Sequence, residues 1–309
     1  MDLYHGTPCG AFDRNRDVFA TMHLCMSWAA YATSCKGKRT GTPTPSALRH
    51  ALACQKLLLD NGAFSAWKQA RKRCAVMHLD VPAIYAWMTA MVEAMAAADG
   101  HGCIILLPDV IEGSEEENDD LLRTCPEHLR PVAWPVWHMT ESLDRLARLA
   151  DEWGAVAIGA CGLYTEVLGP EYCRRIDQVF DDREARHPGS RLHMLRGLQV
   201  ATGPWPFTSA DSTDVGQNWS QTPHRLQTRV AYWERRARAT PANWNPPRHR
   251  ICWASTAREN RKILARQDAL WPVEQREAVK KPQRETKRQP RLARETVHER
   301  RQIEMFAGS

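Results

Sequence analysis

The 309-residue chain has no run of about 18 or more uncharged apolar residues, so no membrane-spanning helix is expected. Its ten cysteines, at 9, 25, 35, 54, 74, 103, 125, 161, 173 and 252, form no Cys-x-x-Cys pair, and no His-x-His occurs. A structural zinc site therefore has no ligand cluster to rest on, and scattered reduced thiols fit a cytoplasmic protein. Met1-Asp2-Leu3-Tyr4-His5 lacks a charged stretch leading into an apolar one, so no secretion signal is expected. No internal repeat is visible. Phe and Tyr are sparse, at six each, whereas Trp reaches twelve. With 43% hydrophobic and 25% charged residues, the chain is too apolar for disorder and long enough to bury a substantial core.

The net charge of +6 is unevenly placed. Residues 225–309 hold about 21 Lys or Arg against about 9 Asp or Glu, roughly +12, which leaves about −6 for the first 224 residues. An acidic body with a basic C-terminal quarter suits a polyanionic partner, nucleic acid first; a solvated, salt-bridged helical tail is the bland alternative. From Pro272 onward, Pro282 and Pro290 interrupt an Arg/Lys/Glu/Gln-rich stretch with few apolar anchors. Broken helices or partial disorder are expected there.

Short apolar runs recur along the body at residues 56–60, 103–107, 132–137, 155–158, 192–198 and 207–210. Runs of this length fit strands buried on both faces, as in a parallel sheet. Helical patterns lie between them. One spans residues 81–98, entered through Asp80 and Pro82; another opens at Thr140-Glu141-Ser142 and ends at Gly154. Leu3-Tyr4-His5 as a first strand and Ile251-Cys252-Trp253 as a last bring the count to eight. Alternation of strand and helix with eight strands predicts an α/β fold, an irregular (β/α)8 TIM-like barrel over residues 1–270. Residues 271–309 then form a basic C-terminal extension, helical or partly disordered. The connection at 199–206 is too short and too rich in Pro and Gly for a helix.

In such a barrel, chemistry sits at the C-terminal strand ends. The residues there are Asp60, Asp109, His138, Gly159 with Cys161, His193 with Arg196, and Asp211. A single strand-end Asp is more often a helix cap; three at different strand ends can converge on one pocket. Paired carboxylates suit work at an anomeric carbon, one ionised and one handling a proton. A metal reading through His138, His193, Asp109 and Asp211 is the less favoured alternative.

Asp60-Asn61-Gly62-Ala63-Phe64 resembles the Asp-Ser-Gly-Gly-aromatic motif of tRNA-guanine transglycosylases. Pro108-Asp109, Val156-Ala157-Ile158-Gly159, His193-Met194-Leu195-Arg196-Gly197-Leu198 and Ser209-Ala210-Asp211-Ser212-Thr213 follow in that superfamily's order. The resemblance, over roughly residues 55–220, is closest to the phage-associated branch that installs 7-deazapurines in DNA, and to related anti-phage DNA glycosylases. It implies that Asp211 is the nucleophile at C1′ and Asp60 the proton-transfer group, with Asp214 as fallback nucleophile. It also implies base contacts from Phe64, Asp109, His138, Gly159, Ala160, Cys161, Leu195 and Arg196. No cofactor or metal is called for.

Three departures stand out. The zinc site of the tRNA enzymes has no counterpart. Trp137-His138 occupies the strand that supplies their base-reading glutamine. Arg196 stands where they keep an apolar stacker. The implied activity is excision of a modified base from double- or single-stranded DNA, leaving an abasic site, with phage defence as the setting that the resemblance implies. Exchange for a 7-deazapurine is the close alternative, and a non-catalytic DNA-binding barrel the alternative of another class. A base in duplex would have to be flipped out. Of the tryptophans nearest the motifs (Trp67, Trp134, Trp137, Trp205 and Trp219), most are expected in the core. A homodimer is compatible with the resemblance; a membrane partner is not expected.

Overall fold

A computed structural model describes residues 1–6, 12–97, 102–217, 223–243 and 253–268. The strands, in chain order, are β1 (Asp2–Gly6), β2 (His23–Ser27), a hairpin of β3 (Ala32–Cys35) and β4 (Lys38–Pro43), β5 (Lys56–Asp60), β6 (Gly102–Leu106), β7 (Ala133–Trp134), β8 (Val136–His138), β9 (Ala155–Gly159), β10 (Arg191–Met194) and β11 (Ser209–Ser212). Apart from the β3–β4 hairpin they form one parallel sheet in the order β7-β6-β5-β2-β1-β11-β10-β9-β8. The protein is an α/β TIM-like barrel, nine parallel segments nearly closed on themselves.

Closure depends on Pro135. The two segments at the ends of the sheet, β7 and β8, are consecutive in the chain and separated by this one residue. Proline has no N–H to give to a ladder, so the strand breaks there. Its first half pairs with β6 and its second with β9, and one chain segment thus bridges both edges.

The expected first strand is present at Asp2–Gly6; the expected last one falls largely outside the described residues. Ile251 and Cys252 lie outside the described residues, and Trp253 is in no strand. Its indole N–H instead donates to Asp177 Oδ2 (2.6 Å), and its ring lies 5.4 Å from that of Trp205. The eighth place is taken by His23-Leu24-Cys25-Met26-Ser27, whose alternating burial marks a strand that apolar runs alone did not reveal. The basic extension at 271–309 and Trp219 also lie outside the described residues.

Around the barrel run α1 (Phe12–Phe19), α2 (Trp28–Tyr31), α3 (Pro45–Ala53), α4 (Ala63–Arg73), α5 (Val81–Ala96), α6 (Glu115–Arg123), α7 (Leu143–Trp153), α8 (Pro170–Arg186), α9 (Asp214–Gln217), α10 (Pro223–Arg238) and α11 (Ala257–Asp268). The two helices read from the sequence form with the expected caps. Asp80 accepts from the Ala83 N–H at α5 and Ser142 from the Arg145 N–H at α7, which Gly154 ends in a left-handed conformation. The β10–β11 connection holds a single 3-10 turn, Leu198–Thr202, in place of a full helix. No helix among the described residues is long and apolar enough to cross a membrane.

Two apolar cores follow from the period-2 alternation of each strand. One lies between sheet and helices and takes Leu57, Leu59, Val156 and Ile158. The other fills the barrel interior with Tyr4, Leu58, Leu106, Trp134, Val136, Ala155 and Ala157. Across the β8–β9 ladder Val136 pairs with Ala157 and His138 with Gly159, so large inward residues on one strand meet small ones on its neighbour. Trp134, Trp137 and Trp205 are all buried, as expected for core tryptophans.

Trp205 joins the outer layers, edge-on to Tyr172 and donating to Asp177 Oδ1 (2.8 Å). Trp205→Ala should lower the unfolding free energy by about 3–5 kcal/mol, read from guanidinium unfolding curves.

Candidate active site at the barrel mouth

The same alternation that fills the interior sets a polar layer at its C-terminal end. Asp60 follows Leu58 on the inward face of β5, His138 follows Val136 on β8, and Asp211 follows Ser209 on β11. Asp109 stands three residues past the end of β6. The carboxylates act on one another: Asp60 is pushed up to about 6, mainly by burial, against the opposing Ser27 hydroxyl and Gly62 amide, and with added repulsion from Asp211 and Asp109.

Asp60-Asn61-Gly62 is a turn built to aim these groups. Gly62 adopts φ +82°, and a Cβ there would press on Ala29 at 3.1–3.2 Å, so glycine is required. Asn61 accepts the Ala63 N–H (2.7 Å) through Oδ1 and donates through Nδ2 to the Leu107 carbonyl (2.6 Å) and Asp109 Oδ1 (2.8 Å). One side chain thus ties the end of β5 to the loop after β6.

The other oxygen of Asp109 accepts from His138 Nε2 (2.9 Å), and His138 Nδ1 faces Glu141 Oε1 (3.3 Å). Glu141 Oε2 in turn accepts from the His138 N–H (2.9 Å) and Arg145 Nη1 (2.5 Å), and Arg145 Nε donates to Asp119 (2.9 Å). Burial disfavours a charged imidazole. The bonds to Asp109 and Glu141 and their charges outweigh that penalty, and the His138 pKa is pushed up to about 10. Both ring nitrogens are therefore spent inside the protein. A Cβ on Gly159 would lie 2.9 Å from His138 Cδ2, so this glycine makes room for the imidazole.

On the opposite side, Asp211 Oδ1 accepts from the Arg196 N–H (2.6 Å) and from His193 Nε2 (3.3 Å). No described residue donates to its Oδ2. Arg196 takes a left-handed backbone, φ +56°, and its guanidinium carbon lies 3.6 Å from the centre of the Phe64 ring. Phe64 and Trp67 are neighbours at 5.6 Å, and the Trp67 N–H reaches Glu112 (3.1 Å).

Among the resemblance-derived base contacts, Leu195 packs against the interior core and Cys161 is buried with Sγ 3.2 Å from Thr140 Oγ1. Ala160 packs against the outer core. Asp214 opens α9 and forms a two-pronged pair with Arg229, including Arg229 Nη2 to Oδ1 at 2.7 Å. That pairing leaves it a poor substitute for Asp211. Cys25, on the inward face of β2, is pushed well up, by burial and then by Asp211 and Asp60, so it stays a thiol. The four residues of the metal reading form two separate pairs, and no group of three or more His, Cys, Asp or Glu among the described residues is arranged to hold an ion.

None of Ser27, Asn61, Glu141 and Ser209 was given a role in the site from the sequence. Ser27 ends the strand that the apolar runs missed. Glu141 had a readable signal, since His138-x-x-Glu141 spans a single tight turn closed by the Glu141 N–H to the His138 carbonyl (2.8 Å). Neither a protein-family model, nor a curated protein, nor a solved structure matches this chain.

Both shifted groups make stability depend on pH. The folded-state pKa of His138 is raised above its ordinary value, from 6.5 to about 10, so its contribution is complete below about 6.5 and is lost as pH rises towards 10. His138→Gln should flatten the thermal-midpoint profile across that window. For Asp60, raised from 3.8 to about 6, folding is favoured while the group is protonated and penalised once it ionises. Asp60→Asn should therefore stabilise the fold above pH 6 by up to about 3 kcal/mol and leave it unchanged below about pH 4, read from denaturant titrations at each pH.

Proposed function

We propose that this protein breaks the N-glycosidic bond of a base in DNA, releasing a modified base and leaving an abasic site. The observation that carries the reading is the contrast between two carboxylates at the mouth. Asp211 gives one oxygen to two N–H donors and keeps Oδ2 for a substrate, whereas Asp60 is poised near pH 6 to give and take a proton. This is the division of labour that glycosidic cleavage needs.

In this scheme Asp211 Oδ2 attacks C1′ as the bond to the base breaks. The bonding electron pair leaves with the base, which takes the Asp60 proton. Ionised Asp60 then accepts a proton from water as the oxygen attacks C1′; the Asp211 Oδ2–C1′ bond breaks with its electron pair returning to the carboxylate, and the net change is consumption of one water. An incoming 7-deazapurine in place of water gives base exchange at the same site. Phe64 offers the stacking face, covered in the free protein by the Arg196 guanidinium, which must swing aside and is then free for a phosphate or a polar group on the base. Asp109, held by Asn61 and His138, is an acceptor for N–H groups on the base edge. The basic C-terminal quarter of the sequence supports a polyanionic partner, and phage DNA with altered bases is the substrate class that the resemblance suggests.

Incubation with a panel of differently modified phage DNAs, followed by mass spectrometry of released bases and alkaline cleavage at abasic sites, tests this. Asp211→Asn should reduce release to background, and Asp214→Asn should not. Asp60→Asn should slow release by about 10²–10⁴-fold. The wild-type single-turnover rate should fall as pH rises through about 6, and this limb should vanish in Asp60→Asn. Incorporation of a labelled deazapurine without abasic DNA would move the assignment to exchange. Salt-sensitive DNA binding with neither product would overturn the enzyme reading in favour of a binding protein.

A further inference from the structure

We propose that His193, braced by Ser209, is the positioning residue that fixes the Asp211 carboxylate with Oδ2 turned to the substrate. The inference rests on the reading of Asp211 as the nucleophile. Strand register supplies the geometry. His193 on β10 is opposite Ser209 on β11, and Asp211 follows two residues later on the same inward face. The imidazole spans that repeat, with Nδ1 2.8 Å from Ser209 Oγ and Nε2 3.3 Å from Asp211 Oδ1.

A hydroxyl both donates and accepts, so it can satisfy either ring tautomer. Only one tautomer suits both neighbours of a neutral ring. Ser209 donates to Nδ1, and Nε2–H then points at the carboxylate. The ring has no other freedom. It is fully buried, edge-on to Tyr4 at 6.1 Å and to Trp134 at 6.1 Å, two members of the apolar cluster that fills the interior below the polar layer. The Arg196 N–H meets the same Oδ1 at 2.6 Å. Two donors on one oxygen pin the rotamer and leave the other oxygen unencumbered. An apolar residue would fill the space between Tyr4 and Trp134 equally well, so packing alone does not account for a histidine here.

Two measurements test the proposal together. In protein labelled with ¹⁵N-histidine, the His193 ring should be the Nε2–H tautomer, and its nitrogen shifts should move in Asp211→Asn and in Ser209→Ala. A ring in the Nδ1–H form, or shifts untouched by Asp211→Asn, would overturn the linkage whatever the protein does to DNA. The second measurement uses the modified DNA that the wild type acts on best. His193→Leu, of similar size and without a donor, should lower kcat roughly ten- to hundredfold with KM unchanged. His193→Gln, which keeps an N–H near the Nε2 position, should restore most of it, with thermal midpoints checking that both variants fold. Full turnover by His193→Leu, or equal losses in the Leu and Gln variants, would overturn the positioning role. If the wild type acts on no DNA, the glycosidic reading falls, and the NMR result alone upholds or overturns the His193–Asp211 linkage.

Discussion

A charged imidazole held between two carboxylates organises the mouth of this barrel. His138 sits where the split strand ends, bonded on one side to Asp109 and on the other to Glu141, and the chain of charges continues through Arg145 to Asp119 and Arg148. Acidic and basic groups alternate along its length, three of each. Such a chain survives burial only when each member is paired, because removing one partner leaves an uncompensated charge in a medium that solvates it poorly. The loop after β6, the end of β8 and the first turn of α7 are consequently tied together. Asn61 extends the tie to β5. The position of Asp109 thus depends on groups set behind it.

The other half of the mouth is built differently. Asp211 is held by a backbone N–H and by a relay from Ser209 through His193. Asp60 faces a hydroxyl and a backbone amide, and lies in the fields of two other carboxylates. The three acids thus occupy three electrostatic settings within one layer. Asp109 is paired with a cation, Asp211 is oriented by dipoles, and Asp60 is left to repulsion and burial. Under the proposed function, those settings would separate a fixed acceptor, a positioned nucleophile and a proton carrier. The cost falls on stability at Asp60, which would be more comfortable as an amide at neutral pH.

Much of the barrel was legible because buried parallel strands are short apolar runs, and the runs ending at Asp60, Pro108-Asp109, His138, Gly159 and Asp211 marked the strand ends. β2 was not legible. Its alternation of His23, Cys25 and Ser27 with Leu24 and Met26 resembles a half-exposed strand, because its inward residues serve the polar interior. Trp253, read as the end of a last strand, is in no strand. Its indole serves a contact with Trp205 and Asp177 outside the barrel.

The sequence by itself determined the alternation of strand and helix, the identity of the strand-end acids and the concentration of positive charge at the C-terminal end. Each of these is a local pattern, fixed by period, capping residues and composition. Tertiary structure decided which groups each acid meets and which nitrogen faces which oxygen. Those relations join residues far apart in the chain, such as Asn61 with Asp109, Asp109 with His138 and His193 with Asp211. They depend on register between strands and on burial, and no residue carries either property alone.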